Sequence, residues 1–261
     1  VVRTGKPDMN FCLCWANHSW YQKTWDPKKP NKLLMEQTYP GVEDYKNHFM
    51  AMLPAFKDKR YMKTKDGRLI FGIFEPKDFD DFITFKDVWN QLAKENGFNG
   101  FYFIGRACFQ GIDEPIIEWG YDGKMYDSLF DIYYGQKPIT LFRRILNKLQ
   151  RTIKVKYITY DKYVKESIEL YKEHSSFIPC IEPDFDHSPR SNDRGIILHE
   201  STPRKWGDLL RNTIDLVNTN IDKEKIIFIK AWNEWGEGNY LEPDRKWGRE
   251  YLDETKKALL K

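Results

Sequence analysis

The feature that most constrains this chain lies near its C-terminal end, where Lys225–Ile229 (K-I-I-F-I) runs into Lys230–Asp244 (K-A-W-N-E-W-G-E-G-N-Y-L-E-P-D). A short run dense in β-branched and aromatic side chains reads as a fully buried strand. Gly236 and Gly238 forbid a regular continuation, so a loop must follow. That loop carries two carboxylates three residues apart, Glu234 and Glu237, among Trp232, Trp235 and Tyr240. Carboxylates move protons, and flat aromatic faces pack on the apolar face of a pyranose ring, so the segment has the layout of a sugar site. The plainer alternative is a solvated turn whose tryptophans cap a core.

The rest of the chain repeats the same plan. Asn10–Asn17 (N-F-C-L-C-W-A-N) reads as a buried strand ending in a polar loop with Trp20, Tyr21 and Trp25. Helical periodicity runs from Tyr45 to Phe56, with its regular part expected to stop at Pro54. Leu69–Phe74 and Gly100–Gly105 read as buried strands, the first closed by Glu75-Pro76 and the second by Arg106, and Phe85–Asn96 reads as a helix closed by Gly97. A short strand is expected at Lys124–Asp127, followed by loops. Tyr160–Glu173 is helical and Phe177–Ile181 is a strand. Pro203–Asn218 is a helix opened by Thr202, and Trp247–Leu260 closes the chain as another. Buried strands alternating with helices predict a parallel sheet covered by helices. The acids, arginines and indoles follow the strands, as at the C-terminal face of a β/α barrel. A doubly wound sheet obeys the same rule but would usually show a glycine-rich phosphate loop, and there is none. The expectation is therefore one α/β domain over residues 1–261, built as a barrel.

Composition narrows the ligand. Aromatics make up 16% with nine tryptophans, which favours a stacking ligand. A net charge of +3 with both signs interspersed calls for neither nucleic acid nor an anionic membrane. Arg143, Arg144, Lys148, Arg151, Lys154 and Lys156 read as a solvated helix face. Cys12, Cys14, Cys108 and Cys180 show neither zinc spacing nor a disulfide framework, and read as small buried hydrophobes in a reducing compartment. No metal or organic cofactor is implied, and no apolar stretch is long enough to span a membrane. A cytoplasmic location is favoured. A secreted or periplasmic one stays open, because the start, without methionine and with a strand already at residue 10, reads as the inside of a longer chain.

Five segments in order carry a resemblance: F-C-L-C-W-A-N at 11–17, M-E-Q-T-Y at 35–39, L-P-A-F-K-D-K-R-Y at 53–61, D-H-S-P-R at 186–190 and A-W-N-E-W-G-E-G-N-Y-L-E-P-D at 231–244. The chain resembles the glycoside hydrolase family 99-like, WbsX-type domain of bacterial polysaccharide-biosynthesis clusters, related to endo-α-mannosidases. That resemblance implies a (β/α)8 TIM-type barrel of which this chain supplies about the last six β/α units. It implies that Glu234 is the base towards a sugar 2-hydroxyl and Glu237 the general acid. Their mutual repulsion, together with burial against Trp235, would separate the two roles. Trp15, Trp20, Trp232 and Trp235, with Asn17, Glu75, Arg106, Asp186, Arg190, Asn233 and Tyr240, are the candidate substrate-binding residues. Asp186 with Arg190 reads alternatively as a loop-fixing ion pair, and Glu242 reads as a loop residue. The chain departs from the family's pattern at Asn17-His18-Ser19, at Glu75 in place of arginine, and at His187 in place of asparagine, all at the barrel mouth where substrate identity is set. The implied partner is an oligo- or polysaccharide. A retaining glycosidase, a glycosyltransferase of O-antigen or capsule assembly, and a non-catalytic glycan-binding protein are the competing activities. A transferase would need a nucleotide- or lipid-linked donor, and the sequence has no diphosphate loop to hold one; Asp184-Phe185-Asp186 has only the spelling of a D-x-D metal motif.

Overall fold

The computed structural model of the chain describes residues 1–22, 29–107, 111–135, 157–191, 195–220 and 223–260. Trp25, Cys108 and the basic run from Arg143 to Lys156 lie outside the described residues. The chain gathers into two compact units, one of Val1–Ala107 with Asp113–Met125 and one formed chiefly by Tyr126–Lys261. Both are α/β, with parallel strands followed by covering helices.

The first unit contains strands β1 (Leu13–Trp15), β2 (Trp20–Gln22), β3 (Lys32–Met35), β4 (Leu69–Ile73) and β5 (Phe101–Ala107), and helices α1 (Val42–Phe56) and α2 (Phe82–Glu95). Strand β4 pairs in parallel with β1 on one edge (Leu13↔Phe71) and with β5 on the other (Phe71↔Phe103). Its side chains are almost wholly buried, which explains why it reads as an unbroken apolar run. Tyr45, Phe49, Leu53 and Phe56 of α1, with Phe82, Phe85, Trp89 and Ala93 of α2, supply the covering layer. Trp89 is the hub of this layer, with the rings of Phe85, Phe71 and Phe101 centred 4.4, 4.8 and 5.1 Å away. Its indole N–H donates to the Tyr45 carbonyl at 3.0 Å, so the polar edge is satisfied inside the core.

Three expectations change here. Helix α1 continues past Pro54 to Phe56. The proline lies in the last turn, which still closes through Lys57 N–H donating to the Leu53 carbonyl at 3.0 Å. Strand β1 is shorter than Asn10–Asn17 and only half-buried, with Cys14 exposed and Cys12 intermediate, so of the described cysteines only Cys180 is a buried hydrophobe. The close approach of β1 to β4 explains Gly72, where a Cβ would stand 3.0 Å from Cys14 Sγ. Beyond β1, an antiparallel ribbon of β2 and β3 carries Trp20, Tyr21, Leu33, Leu34 and Met35 exposed.

Strand β6 (Gly123–Asp127) leads into the second unit. There follow α3 (Ser128–Tyr134), β7 (Tyr157–Thr159), α4 (Tyr160–Glu173), β8 (Ile178–Ile181), α5 (Ser188–Ser191), β9 (Ile197–His199), α6 (Pro203–Thr219), β10 (Phe228–Ile229), β11 (Asn233–Glu234), β12 (Asn239–Tyr240) and α7 (Glu250–Leu259). Where loops were expected after Asp127 the chain forms α3, because Asp127 caps it by accepting from Leu129 N–H at 3.2 Å. Thr202 caps α6 through Lys205 N–H at 3.3 Å. Trp206 of that helix is fully buried and donates to Thr255 Oγ1 of α7 at 2.9 Å. Strand β10 pairs in parallel with the fully buried β8 (Phe228↔Cys180), yet it spans only two residues and is half-exposed. Among the described residues no strand covers its other edge, which is why the expected full burial of Lys225–Ile229 is not seen.

Candidate functional site

Two loops of the second unit, one after β8 and one after β10, are stitched together around the glutamates. In the first, Asp186 Oδ1 accepts from Ser188 N–H at 2.9 Å and Ser188 Oγ at 2.5 Å, at the start of the short helix α5 that carries Arg190. In the second, β11 carries Glu234 and the next turn, Trp235–Glu237, carries Glu237. Gly238 closes that turn with φ +59°, a left-handed conformation that suits glycine. A Cβ at Gly238 would also stand 3.1–3.2 Å from Asp186, so the loops touch at backbone level. Asp186 N–H donates to the Glu237 carbonyl at 2.7 Å.

One guanidinium joins the two acids. Arg190 Nη2 donates to Glu234 Oε1 at 3.0 Å, and Nη1 donates to Glu237 Oε1 at 3.0 Å. His187 Nε2 stands 3.8 Å from the same Glu237 oxygen, and its Nδ1 is bonded to Ser191 Oγ. Among the described residues the Oε2 atom of each glutamate has no hydrogen-bond partner, so both acids keep one oxygen for a ligand. The alternative reading of Asp186 and Arg190 as an ion pair is not met: Asp186 serves Ser188, while Arg190 serves the glutamates. Nor does Trp235 wall in either acid. Its ring stacks on Tyr240 at 3.8 Å, and its indole N–H donates to Glu242 Oε2 at 2.7 Å. Arg190, rather than Trp235, is the side chain bonded to both acids. Glu242 has the loop role expected of it.

The aromatic surroundings are exposed. Trp232 and Trp235 are 53% and 49% accessible, the condition for stacking on a ring. Trp232 is held by its carbonyl, which accepts from Leu241 and Glu242 N–H at 2.9 and 3.0 Å. Asn233 pairs with Tyr240 across the β11–β12 ribbon. The Tyr240 hydroxyl donates to Asp244 Oδ2 at 3.1 Å, and burial followed by that carboxylate pushes its pKa up to about 12. Asp184 of the D-x-D triplet accepts from Phe185 N–H at 2.9 Å, and burial raises its carboxyl to about 7. Both acids of the triplet thus have partners in their own loop.

The first unit carries the remaining candidates. Asn17 is fully buried and ties β1 to β4. Its Oδ1 accepts from Glu75 N–H at 2.8 Å, and its Nδ2 donates to the Glu75 carbonyl at 2.9 Å and to the Tyr39 hydroxyl at 3.0 Å. Both amide donors are used and the side chain is fully buried, so its expected binding role gives way to a structural one. Trp15 is packed among Tyr39, His48, Phe79 and Phe85, with centroids 4.7–5.9 Å away. Glu75 Oε1 accepts from Arg106 Nη2 at 3.0 Å, and the Arg106 guanidinium lies 3.5 Å from the centre of the Phe74 ring. Trp20 remains 53% accessible.

Sequence reasoning assigned no role to Asn239, although Glu234 faces it across the β11–β12 ribbon. Asn239 is fully buried with neither its amide nitrogen nor its oxygen bonded. The tight G-N-Y step after Gly238 was the only available signal.

The pattern described as glycosyltransferase WbsX matches residues 1–255. The chain belongs to the WbsX family. That description names a class of carbohydrate-active enzyme, the glycosyltransferases. It is 26% identical over 253 residues to the uncharacterised protein WxcX of Xanthomonas campestris pv. campestris, covering 95% of this chain and 34% of the relative. The WxcX protein of strain B100 matches to the same extent. The chain thus spans about a third of the length of the curated relatives it matches, 34%. Among solved structures, a glycoside hydrolase-like protein superposes with a TM-score of 0.53 at 16% identity, over 83% of this chain and 61% of that one, and shows the shared fold. A GH99 endo-alpha-mannosidase from Bacteroides thetaiotaomicron matches with a TM-score of 0.44 at 16% identity, over 85% of this chain and 65% of that one. Among the described residues no helix is long and apolar enough to cross a membrane.

Proposed function

We propose that this chain carries the catalytic machinery of a retaining glycosidase acting on α-linked, manno-type bonds of a bacterial polysaccharide. The observation that carries this reading is the pair of glutamates bonded through one oxygen each to a single guanidinium, beside two exposed tryptophans. In the first step Glu234 takes the proton of the sugar 2-hydroxyl as O2 attacks C1. The bond from C1 to the leaving oxygen breaks, and Glu237 protonates that oxygen. The product is a 1,2-anhydro sugar and a released chain. In the second step water attacks C1 and gives a proton to Glu237, while the C1–O2 bond breaks and O2 recovers its proton from Glu234. Two inversions give net retention.

Arg190 has a specific part in this cycle. The negative charge begins on Glu234 and ends the first step on Glu237. A guanidinium at 3.0 Å from both can balance the charge at either end without moving, the condition for low reorganisation. General acid–base transfer of this kind contributes about 10²–10⁴-fold. The family's description favours a second reading, in which the enzyme is a glycosyltransferase that draws its sugar from a nucleotide- or lipid-linked donor.

The test incubates full-length protein and its Glu237→Gln variant with α-linked bacterial polysaccharides, with and without nucleotide sugars, and follows products by mass spectrometry. New reducing ends without a nucleotide sugar, absent in a variant that still binds, are expected. Unchanged turnover in Glu237→Gln would refute the acid assignment, and donor-dependent chain extension would establish the transferase.

A further inference from the structure

Three charged side chains of the second unit stand at strand ends, outside the chemistry above. Asp127 ends β6, Glu182 directly follows β8, and Lys230 directly follows β10. They converge. Lys230 Nζ is 2.8 Å from Asp127 Oδ2 and 3.5 Å from Glu182 Oε1, with the rings of Phe130 and Phe185 centred 4.9 and 5.0 Å away. Asp127 is 1% exposed and Glu182 fully buried. The Tyr163 hydroxyl donates to Glu182 Oε2, Glu182 N–H donates back to the Tyr163 oxygen at 3.1 Å, and the Tyr160 hydroxyl donates to the Glu182 carbonyl at 2.8 Å.

The charges in this cluster do not balance if every group ionises. One ammonium faces two carboxylates, and among the described residues no other cation is paired with either acid. An uncompensated carboxylate without access to water takes up a proton instead. Glu182 is the acid to do so, because Asp127 holds the shorter bond to Lys230. Burial first, then Asp127, pushes the Glu182 carboxyl well above its ordinary range. Burial works against the Lys230 ammonium, but Asp127 and Glu182 outweigh it and hold the lysine charged.

We propose that Glu182 is held as a neutral carboxylic acid against Asp127, that Asp127 alone balances Lys230, and that this lock positions the segment carrying Glu234 and Glu237. Lys230 is the last fixed point before that segment. Its N–H donates to the Ile181 carbonyl at 3.0 Å while its ammonium is gripped from β6 and β8, and the glutamates begin four residues later. The positioning of catalytic groups rests on the function proposed above, whereas the protonation of Glu182 does not. Lys230 and its partners are positioning residues and touch no substrate.

The experiment compares Glu182→Gln, Asp127→Asn and Lys230→Met in the full-length protein. Glutamine copies a neutral acid, so Glu182→Gln is expected to leave the melting temperature within a few degrees, whereas Asp127→Asn lowers it by roughly 10 °C. An infrared difference spectrum of wild type against Glu182→Gln at neutral pH should contain a protonated-carboxyl carbonyl band. Near-ultraviolet circular dichroism then reports the stacked Trp235–Tyr240 pair: this signal falls in Asp127→Asn and Lys230→Met below their melting temperatures and persists in Glu182→Gln. If Asp127→Asn does not fold, the Asp127→Asn/Lys230→Gln double variant, which leaves no unpaired ammonium, replaces it. No protonated-carboxyl band, or equal destabilisation by Glu182→Gln and Asp127→Asn, overturns the neutral acid. An unchanged aromatic signal in the folded variants overturns the positioning. None of these readouts needs turnover, so an inactive wild type would count against the glycosidase alone.

Discussion

Gly236 offers a sharp test of how the glutamates are held. A Cβ built there would stand 2.2 Å from Arg190 Nη2, 2.7 Å from Cζ and 2.9 Å from Nε. The backbone at Gly236 is not left-handed, so alanine meets no conformational penalty and the whole effect falls on the guanidinium. To reach ordinary contact distance the group must retreat by about 1 Å, which takes both 3.0 Å bonds beyond hydrogen-bonding range. These ion pairs are open to solvent, with the side chains of Arg190, Glu234 and Glu237 exposed by 38, 42 and 23%. Screening therefore holds each pair to about 0.2–1 kcal/mol, and Gly236→Ala should cost about 1 kcal/mol in all. Urea unfolding followed by tryptophan fluorescence measures it. The decisive assay is a double-mutant cycle: in an Arg190→Ala background, Gly236→Ala should cost nothing beyond about 0.5 kcal/mol, because the group it displaces is gone. Additive costs would show that alanine acts elsewhere, and would refute the argument that Gly236 exists to admit Arg190.

Other expectations follow from the same geometry. Asn17→Ala removes an amide bonded to Glu75 N–H, to the Glu75 carbonyl and to the Tyr39 hydroxyl, and should lower stability by roughly 2–4 kcal/mol, read as a reduced urea midpoint. Asp184 is raised from an ordinary 3.8 to about 7, so between those values the folded chain holds a proton that the unfolded chain has released. Its contribution to stability therefore falls as pH rises from about 4 to about 7, then stays level. Asp184→Asn keeps the bond to Phe185 N–H, should flatten that slope, and should melt above the wild type at pH 8. Trp232→Ala should weaken oligosaccharide binding measured calorimetrically while leaving the melting temperature nearly unchanged, since the indole is exposed.

The buried strands were legible because β4, β8 and the Phe101–Gly105 part of β5 are unbroken apolar runs, a pattern that burial on both faces imposes. Helix α4 begins and ends where its periodicity does, and α6 starts where Thr202-Pro203 placed it. Helix α3 escaped notice because it has only seven residues, too few for a period to show, and its signal was the single capping Asp127. Residue type alone revealed the glutamates. The work of Arg190 was hidden, because its partners lie 44 and 47 residues away and no local pattern says which carboxylate a cation will choose. The same holds for Lys230, whose partner Asp127 is 103 residues distant. Asn17 shows the opposite error: a polar residue at a strand end resembles a ligand contact until its full burial and its bonds to Glu75 and Tyr39 are seen.

Barrel enzymes are commonly treated as a scaffold with interchangeable loops, each open to exchange without disturbing the others. The stitching of the segments after β8 and β10 makes that treatment fail here. Asp186 N–H on the Glu237 carbonyl, Gly238 pressed on Asp186, and the Arg190 fork make the two segments one mechanical part. A graft of residues 231–244 into another protein would carry the acids but not the guanidinium that joins them. Conversely, library variation at 186–191 aimed at substrate choice would also disturb the glutamates. The smallest transplantable piece is therefore the pair of loops together.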